Sequence, residues 1–299
     1  MKKNNQMELV EIIRHYSDHN ECIRYLEAVR WNGVPQCPYC RSEKSSAKEL
    51  RYTCLSCNRS YSVLVGTIFE SSKLNLTKWF IGLSLILSAK KGISSRQLAR
   101  HLSINKDTAW LMQKKIRIAM SENDGLLKGI VEADETFIGG GRSNKYREKR
   151  VKEGKSLGTG YQGKVPVLGM VERSGKVITK VLNKAWGEEI MPKMKQWIHP
   201  SSQVVTDGFG GYYQCAAVFT AHKVLNHSQE QHRIGDYHMN TIEGFWSMFK
   251  RSLSGQYHKV GAHYVQNYFD ELAFKFNHRK MPDLGFNELI SRMLITSLP

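Results

Sequence analysis

Three acidic residues and one lysine are spaced in a way that suits metal-dependent chemistry. Thirty-five residues separate Asp207 from Glu243, and Lys250 follows Glu243 by seven residues. Asp134 follows the apolar run in GIVEADETFIGG and Asp207 the run in QVVTDGFGGYY, so each lies at the end of a predicted strand. Strand ends are where α/β sheets present catalytic groups. Three carboxylates that lie close together repel each other unless cations neutralise their charge. Two Mg²⁺ (or Mn²⁺) ions about 3.5–4 Å apart would do so, and such a pair suits in-line displacement at phosphorus.

The third acid lies in HMNTIEGFWSMFKRSL, residues 238–253, whose spacing predicts a helix. Its apolar stripe consists of Ile242, Phe245, Trp246, Phe249 and Leu253. Asn240, Glu243 and Lys250 fall three and seven residues apart, so they share a second face. Asn240 would then contact a scissile phosphate or orient a water, unless it is an ordinary surface residue.

The first strand offers a second candidate ligand. Alternation places Glu132 and Asp134 on one face of the strand and Glu135 on the other. Glu132 is therefore a rival of Asp134 for the metal. Asp134 is favoured because it lies nearer the end of the strand.

Four cysteines predict a second metal site. Cys37 and Cys40 form one CxxC pair, Cys54 and Cys57 form another, and thirteen residues separate the pairs. Four thiolates at this spacing hold Zn²⁺ in a closed, structural tetrahedron. The residues between the pairs alternate as short strands do, which predicts a zinc ribbon.

The spacing of apolar residues predicts helices throughout residues 77–120. LTKWFIGLSLILSAKKG predicts a buried helix that ends at Gly92, and the next 25 residues predict a helix-turn-helix capped at Ser94 or Ser95 and at Asn105. The second helix of such a motif reads DNA bases from its N-terminal residues. We expect Lys106 and Thr108 to contact bases, and Lys114 and Lys115 to contact phosphates. Plain helix packing would leave a similar pattern.

The remaining segments add elements and positive charge. Residues 139–164 are glycine-rich, with eight Lys or Arg against two Glu, and predict a basic loop that contacts DNA through residues such as Arg142 and Lys145. Arg251 is a further candidate DNA contact. We also expect a hairpin with its turn at 174–175, helices at 187–198 and from about Phe209, a strand near 222–225, and a last amphipathic helix from His263.

Composition favours a nucleic-acid partner. Lys and Arg number 44 against 27 Asp and Glu, which gives a net charge of +17 over 299 residues. No signal peptide or apolar run of membrane-spanning length is present, so the sequence predicts a cytoplasmic protein without a membrane partner. Six cysteines in that reducing compartment favour metal binding over disulfides.

The phrases EADETFIGG, TDGFGGY and HMNTIEGFWSMFKR, in this order behind four cysteines, resemble bacterial insertion-sequence transposases of the insertion-sequence 1595 family. The acid spacing is similar to the D,D-35-E signature of that class. The resemblance implies an RNase H-like fold in which Asp134, Asp207 and Glu243 are the catalytic metal ligands. Members carry Glu or Asn at the third position, and this chain has both Asn240 and Glu243. The spacing to Lys250 favours Glu243.

We therefore expect an α/β protein with an RNase H-like catalytic domain, an N-terminal zinc ribbon and a helix-turn-helix region. The expected divisions are N-terminal helices at 1–30, the ribbon at 31–70, the helix-turn-helix region at 71–124, the catalytic domain at 125–280 and a tail at 281–299.

The expected function is cutting insertion-sequence ends and joining them to target DNA with Mg²⁺. The partners would be double-stranded DNA, as terminal inverted repeats and as target, and further copies of the chain on that DNA. The expected location is the bacterial cytoplasm, at the nucleoid. A DNA-binding regulator without catalysis and an RNase H-like nuclease remain alternatives.

Overall fold

The structure, a computed structural model, describes residues 9–121, 125–139, 164–225, 233–280 and 282–296. The chain divides into two compact units. Unit 1 consists of Met1–Ser121 and His278–Pro299, and unit 2 consists of Glu122–Asn277.

Unit 1 begins with two helices and a small sheet. Helices α1 (Leu9–His15) and α2 (His19–Trp31) are separated near Asp18. The Glu21 carboxylate accepts a hydrogen bond from the Asp18 N–H at 3.4 Å, which stabilises the start of α2. Strands β1 (Ser45–Lys48), β2 (Arg51–Cys54) and β3 (Ser60–Tyr61) then form an antiparallel sheet, as expected of a ribbon.

Three further helices follow in unit 1: α3 (Leu76–Ser88), α4 (Ser95–Leu102) and α5 (Lys106–Ala119). Ser94 caps α4 by accepting from the Gln97 N–H, and Asn105 caps α5 by accepting from the Asp107 N–H. The two helices bury six apolar side chains at helical spacing: Leu98, Ala99, Leu102, Ala109, Met112 and Ile116. The predicted helix-turn-helix and its caps are confirmed.

Helix α3 ends four residues earlier than the sequence predicts. The backbone becomes extended at Ala89, with ψ of 90°, and the Gly92 N–H donates to the Ala89 carbonyl in a turn. Gly92 itself has a φ of +81°. The glycine therefore marks the end of the turn after the helix, not the end of the helix.

The C-terminal segment, expected as a tail, forms a helix of unit 1. Helix α10 (Pro282–Ile295) buries Phe286, Leu289, Ile290, Met293 and Leu294. The Met293 carbonyl accepts from the Ile68 N–H at 3.2 Å, and Asn287 accepts from the Tyr25 hydroxyl at 2.8 Å. These partners lie more than 200 residues away in sequence, so local pattern does not reveal them.

Unit 2 is built on a five-stranded sheet of β4 (Ile130–Ile138), β5 (Val165–Glu172), β6 (Val177–Val181), β7 (Gln203–Asp207) and β8 (Ala221–Leu225). The order across the sheet is β6-β5-β4-β7-β8. The first three strands in sequence pair antiparallel, and β7 and β8 add in parallel. The predicted hairpin turns at Ser174, whose φ is +64°.

Helices cover both faces of this sheet. On one face α6 (Gly187–Trp197) and α7 (Cys215–Val218) pack on one cluster of buried side chains. On the other face α8 (Asn240–Ser252) and α9 (Val265–Asn277) pack on a second cluster rich in aromatic rings. The helix expected from about Phe209 is shorter than predicted: a 3₁₀ turn at Gly210–Tyr212 precedes the four-residue α7. The predicted RNase H-like α/β order is confirmed.

Candidate active site

Two acids lie level with each other on the central strands. β4 and β7 are parallel neighbours, with Glu132 opposite Val205. Asp134 lies two residues beyond Glu132, and Asp207 lies two residues beyond Val205. Because side chains alternate along a strand, both acids face the same side of the sheet. Both strands lie in the interior of the sheet. Asp207 ends β7 as predicted, but the prediction that Asp134 ends its strand is wrong, because β4 continues for four residues beyond it.

Glu243 lies on the helix that covers this side. The buried residues of α8 are largely the predicted apolar stripe: Ile242, Phe245, Trp246 and Phe249. Glu243 and Lys250 are exposed on another face of the helix. The stripe fixes the rotation of α8 on the sheet, and that rotation sets the direction of Glu243.

An open cleft of about 650 Å³ lies where the strand and the helix meet. Its lining residues are Asp134, Glu243, Trp246, Ser247, Lys250, Arg251 and Ser254. The structure therefore brings two of the three acids together with both predicted cations of α8. Asn240, exposed at the start of α8, is not among the described residues that line this cleft.

Trp246 connects the helix to the first acid. Its indole Nε1 donates to Asp134 Oδ2 at 2.9 Å. The ring lies over Gly169 of β5, which pairs with Asp134 in the sheet. A Cβ at Gly169 would lie 2.5 Å from two atoms of the indole ring, so only glycine permits this approach. Sequence reasoning assigned Trp246 to the apolar stripe alone and missed this hydrogen bond.

The acids affect each other electrostatically. Burial raises the pKa of Asp134 to about 6; the charges of Asp207 and Glu243 add to that rise, and the Trp246 hydrogen bond opposes it. The register of β4 and β7 and the cleft that Asp134 shares with Glu243 agree with these electrostatic effects. Burial likewise raises the pKa of Glu135 to about 7, against a hydrogen bond from the Tyr212 hydroxyl. Glu135 and Tyr212 are additional residues of this region that the sequence did not single out for a role.

Glu132, the rival ligand, has its hydrogen-bonding capacity taken up by protein groups. The carboxylate is fully buried and accepts from the N–H groups of Thr241 and Ile242, at 2.9 and 3.0 Å, and from the Thr241 hydroxyl at 2.9 Å. Arg173 donates to it at 3.2 Å, and His238 Nδ1 lies 3.4 Å away. A carboxylate at a helix N-terminus accepts hydrogen bonds from the unpaired N–H groups there, and its negative charge interacts favourably with the helix dipole. Glu132 thus anchors α8, which leaves Asp134 as the acid of β4 that faces the cleft.

The donor set of the acids fits a pair of hard divalent cations. Carboxylate oxygens are the ligands that Mg²⁺ and Mn²⁺ prefer. Asp134, Asp207 and Glu243 would hold these ions, which would activate a water or hydroxyl and stabilise charge on a transferring phosphate. Among the described residues, the four cysteines form a closely gathered cluster of metal-ligating side chains, and the three acids do not.

The four cysteines fit a single zinc ion. Their sulfur atoms all lie within 4.8 Å of one another, with Cys37 Sγ 3.7 Å from Cys57 Sγ and Cys40 Sγ 3.5 Å from Cys54 Sγ. Four thiolates about 2.3 Å from one Zn²⁺ would be about 3.8 Å apart. The spacing that the sequence predicts for this site therefore occurs in the structure.

The two cysteine pairs have matching backbone turns. The carbonyls of Cys37 and Cys54 accept from the N–H groups four residues later, both at 2.9 Å. Those later residues, Arg41 and Asn58, have φ of +61° and +60°. The repeated turn directs both sulfurs of each pair to the same point.

Of the four predicted DNA contacts of unit 1, two are exposed at the start of α5 and two lie close to other groups of the protein. Lys106 and Thr108 are exposed in the first turn of α5. Lys114 Nζ lies 5.8 Å from the Trp110 ring centre. Lys115 donates from Nζ to the Ile68 carbonyl at 2.9 Å, and burial lowers its pKa. Lys115 thus has a structural contact that competes with a phosphate. Arg142 and Lys145, with most of the basic loop, lie outside the described residues.

Comparison with known proteins agrees with this geometry. Residues 126–277 match the family described as the ISXO2-like transposase domain, and residues 17–60 match a transposase zinc-ribbon domain. The chain belongs to the ISXO2-like transposase family. A protein in transposable element ISH50 of Halobacterium salinarum is 27% identical over 254 residues, which cover 81% of this chain and 85% of the relative.

The transposase domain contains all three acids of the candidate site, and the zinc-ribbon match contains all four cysteines. The resemblance to the insertion-sequence 1595 family is confirmed. Among the described helices, none is both long and apolar enough to span a membrane.

Proposed function

We propose that this transposase cuts the ends of its insertion sequence and joins them to target DNA by Mg²⁺-dependent phosphoryl transfer. The observation that supports this most is the arrangement of Asp134, Asp207 and Glu243. Two acids lie level on parallel strands, and the third lies on the covering helix, where it lines one cleft with Asp134.

The three carboxylates would hold Mg²⁺ or Mn²⁺ in this proposal. Bound there, the metal supplies an activated water or hydroxyl and stabilises charge on the entering and leaving oxygens. Trp246 fixes the orientation of Asp134 through Oδ2, and Glu132 fixes the start of the helix that carries Glu243. Both contacts hold the ligands in place before any substrate binds, which lowers the cost of ordering them.

The cations of α8 have a separate task. Lys250 and Arg251 line the same cleft as Asp134 and Glu243, so a phosphate held at the acids would meet positive charge from the helix. That charge offsets the repulsion between phosphate and carboxylates. Asn240 begins the same helix, where it would contact the DNA strand beside the cleft and not the metal.

The proposed steps balance without an external energy source. In cutting, a water oxygen bonds to phosphorus as the bond to the 3′ oxygen breaks; one proton of water ends on the 3′ oxygen, which leaves as a hydroxyl, and the other passes from the new 5′ phosphate to the solvent. In joining, that hydroxyl attacks a target phosphate, and one phosphodiester bond replaces another. Both are in-line displacements that one acidic centre can serve.

DNA recognition in this proposal belongs to the basic surfaces. Lys106 and Thr108 would contact bases, while Lys114 would contact phosphates and Lys115 would do so only by leaving Ile68. Arg142 and Lys145 would hold the backbone of terminal repeats or target. Two ends must be brought together for joining, so we propose a homo-oligomer on DNA. The place of action would be the bacterial cytoplasm, at the nucleoid.

The test uses the DNA that flanks the coding region. Inverted repeats found there are offered to the purified protein with Mg²⁺ and a target plasmid, and nicking and joining are measured separately. Asp134→Asn, Asp207→Asn and Glu243→Gln should each lower both rates at least 100-fold. Glu188→Gln, an equivalent change at an exposed acid of α6, is the matched control and should retain activity.

Three outcomes separate the alternatives. Tight binding without cutting by the parent protein would favour a DNA-binding regulator, and cutting without joining would favour a nuclease. Parental rates in all three acid variants would refute the assignment of the site.

A further inference from the structure

A second depression in unit 2 lies on the other side of β4 from the cleft. It has a volume of about 790 Å³, and we call it the aromatic groove. Its apolar walls are Phe137, Pro166, Ala185, Trp186 and Phe209. Lys164, Asn183 and Lys184 add polar groups, and Glu135 and Asp207 complete the lining.

The aromatic groove exposes large rings that a folded protein normally buries. The exposed fraction is 66% for Trp186 and 37% for Phe209. Tyr213 is 71% exposed. Its ring lies beside Gly187, the residue after Trp186, since a Cβ on Gly187 would be 3.2 Å from that ring. Contiguous exposed aromatic surface of this kind marks a binding site more often than an accident of folding.

The backbone that carries Trp186 is ordered before any ligand arrives. The Glu189 carboxylate accepts from the N–H groups of Asn183 and Lys184, at 2.8 and 3.2 Å, which orders the loop that ends at Trp186. The Trp186 carbonyl accepts from the first turn of α6 at 2.9 and 3.0 Å. A ring whose backbone is already ordered loses little further entropy on binding.

Phe209 is tied directly to the acidic site. Asp207 Oδ1 accepts from the Phe209 N–H at 3.0 Å. Gly211 allows the Phe209 ring to lie against the backbone, since a Cβ there would be 2.6 Å from the ring. Asp207, one of the three candidate metal ligands, therefore also lines the aromatic groove.

Flat rings beside lysines favour one class of occupant. Aromatic side chains stack on nucleobases whatever the base, and lysines contact the flanking phosphates. The bases of a duplex are already stacked on each other, so a base can enter such a groove only after it leaves the stack. An apolar peptide would match the rings but would gain nothing from Lys164 and Lys184.

We propose that the aromatic groove binds one unstacked base of the DNA strand whose phosphate lies at Asp134 and Asp207. Trp186 and Phe209 stack on the base, and Lys184 contacts the phosphate next to it. The assignment of DNA as the ligand rests on the proposed function. The groove would hold the strand end in a distorted form and fix the scissile phosphate at the acids.

The test measures base stacking without chemistry. Fluorescein-labelled dT oligonucleotides and abasic oligonucleotides of equal length are titrated with the full chain in Ca²⁺, and binding is followed by anisotropy. The parent protein should bind dT about 5- to 150-fold more tightly than the abasic strand, the range for one stacked base. Trp186→Ala and Phe209→Ala should each reduce that ratio several-fold, and Trp186→Phe should restore most of it.

Gln196→Ala, a neutral change at an exposed position of α6, is the matched control and should keep the parental ratio. Photocrosslinking of 5-iododeoxyuridine strands should label Trp186 or Tyr213. Equal affinity of the parent protein for dT and abasic strands would overturn the proposal, and so would a parental ratio in folded Trp186→Ala protein. A base-dependent ratio in a protein that never cuts DNA would support the groove while refuting the proposed function.

Discussion

Gly169→Ala should separate α8 from the sheet, because the side chain added would occupy the space of the Trp246 ring. The new Cβ would lie 2.5 Å from Cζ2 and Cη2 of Trp246 and 2.8 Å from Cδ1 of Ile242. All three atoms belong to buried side chains of the stripe that holds α8 on the sheet. The collision therefore cannot be relieved by turning a flexible surface group.

The cost follows from two effects. Overpacking a buried position typically costs about 1–3 kcal/mol. Moving the indole also lengthens the 2.9 Å hydrogen bond to Asp134, and a hydrogen bond to a charged group contributes about 1.5–3 kcal/mol. Because the two effects overlap, we expect a loss of about 2–4 kcal/mol in the free energy of unfolding of unit 2. Urea denaturation monitored by circular dichroism measures it, and Mg²⁺-dependent cutting should fall in parallel.

Two variants test the cause. Gly244→Ala makes the same change on α8 at an exposed position with nothing within 4 Å, so it should stabilise the helix by about 0.5–1 kcal/mol. In a Trp246→Phe background, which removes the two closest ring atoms, Gly169→Ala should cost at least 1 kcal/mol less than in the parent protein. Equal costs in both backgrounds would refute the explanation by steric overlap.

Three further outcomes follow from the described contacts. Glu132→Ala should destabilise unit 2 by about 3–5 kcal/mol, since Arg173 and the first N–H groups of α8 lose their acceptor, and Glu132→Gln should cost less; urea denaturation distinguishes the two. Without Mg²⁺, Asp134→Asn should raise the free energy of unfolding at pH 7.5 by up to about 3 kcal/mol. Because the pKa of Asp134 is raised to about 6 in the folded protein, the protonated acid stabilises the fold below pH 4, and this stability is lost as the pH rises through 6. Thermal melts at pH 4 and 7.5 check the sign. Removing zinc with a chelator, or Cys37→Ser, should unfold the ribbon and change the emission of Trp31, whose ring centre lies 5.2 Å from that of Tyr52; a colorimetric zinc assay should count one ion per chain before removal.

Local signals made much of the structure predictable. The cysteine spacing, the caps at Ser94 and Asn105, the turn at Ser174 and the stripe of α8 each depend on residues within one or two turns of each other. The place of Asp207 at the end of β7 was predictable because it follows a β-branched run, whereas Asp134 lies in the middle of β4, since the strand continues through Ile138. Such patterns are set by backbone geometry and need no knowledge of distant partners.

Contacts between distant segments were not predictable from these patterns. Glu132 and Thr241, which form a hydrogen bond, are 109 residues apart in sequence. Helix α10 forms hydrogen bonds with Ile68 and Tyr25, which lie more than 200 residues before it. The only local signal for Glu132 was an acid in a run that is otherwise apolar. The aromatic groove combines residues of β4, β5, the loop before α6 and the end of β7, so no single stretch of sequence displays it.

Glu132 and Asp134 show that two acids on the same face of one strand can have very different partners. Both lie on the same face of β4 and both are largely buried, but Glu132 has the guanidinium of Arg173 and two helix N–H groups as partners. Among the described contacts Asp134 has the neutral indole of Trp246 and two nearby negative charges, and burial raises its pKa. A buried acid with cationic partners stabilises the fold, whereas one held among other acids is unfavourable until a cation arrives. The partners of each acid, more than its burial, therefore favour Asp134 over Glu132 as the proposed metal ligand of β4.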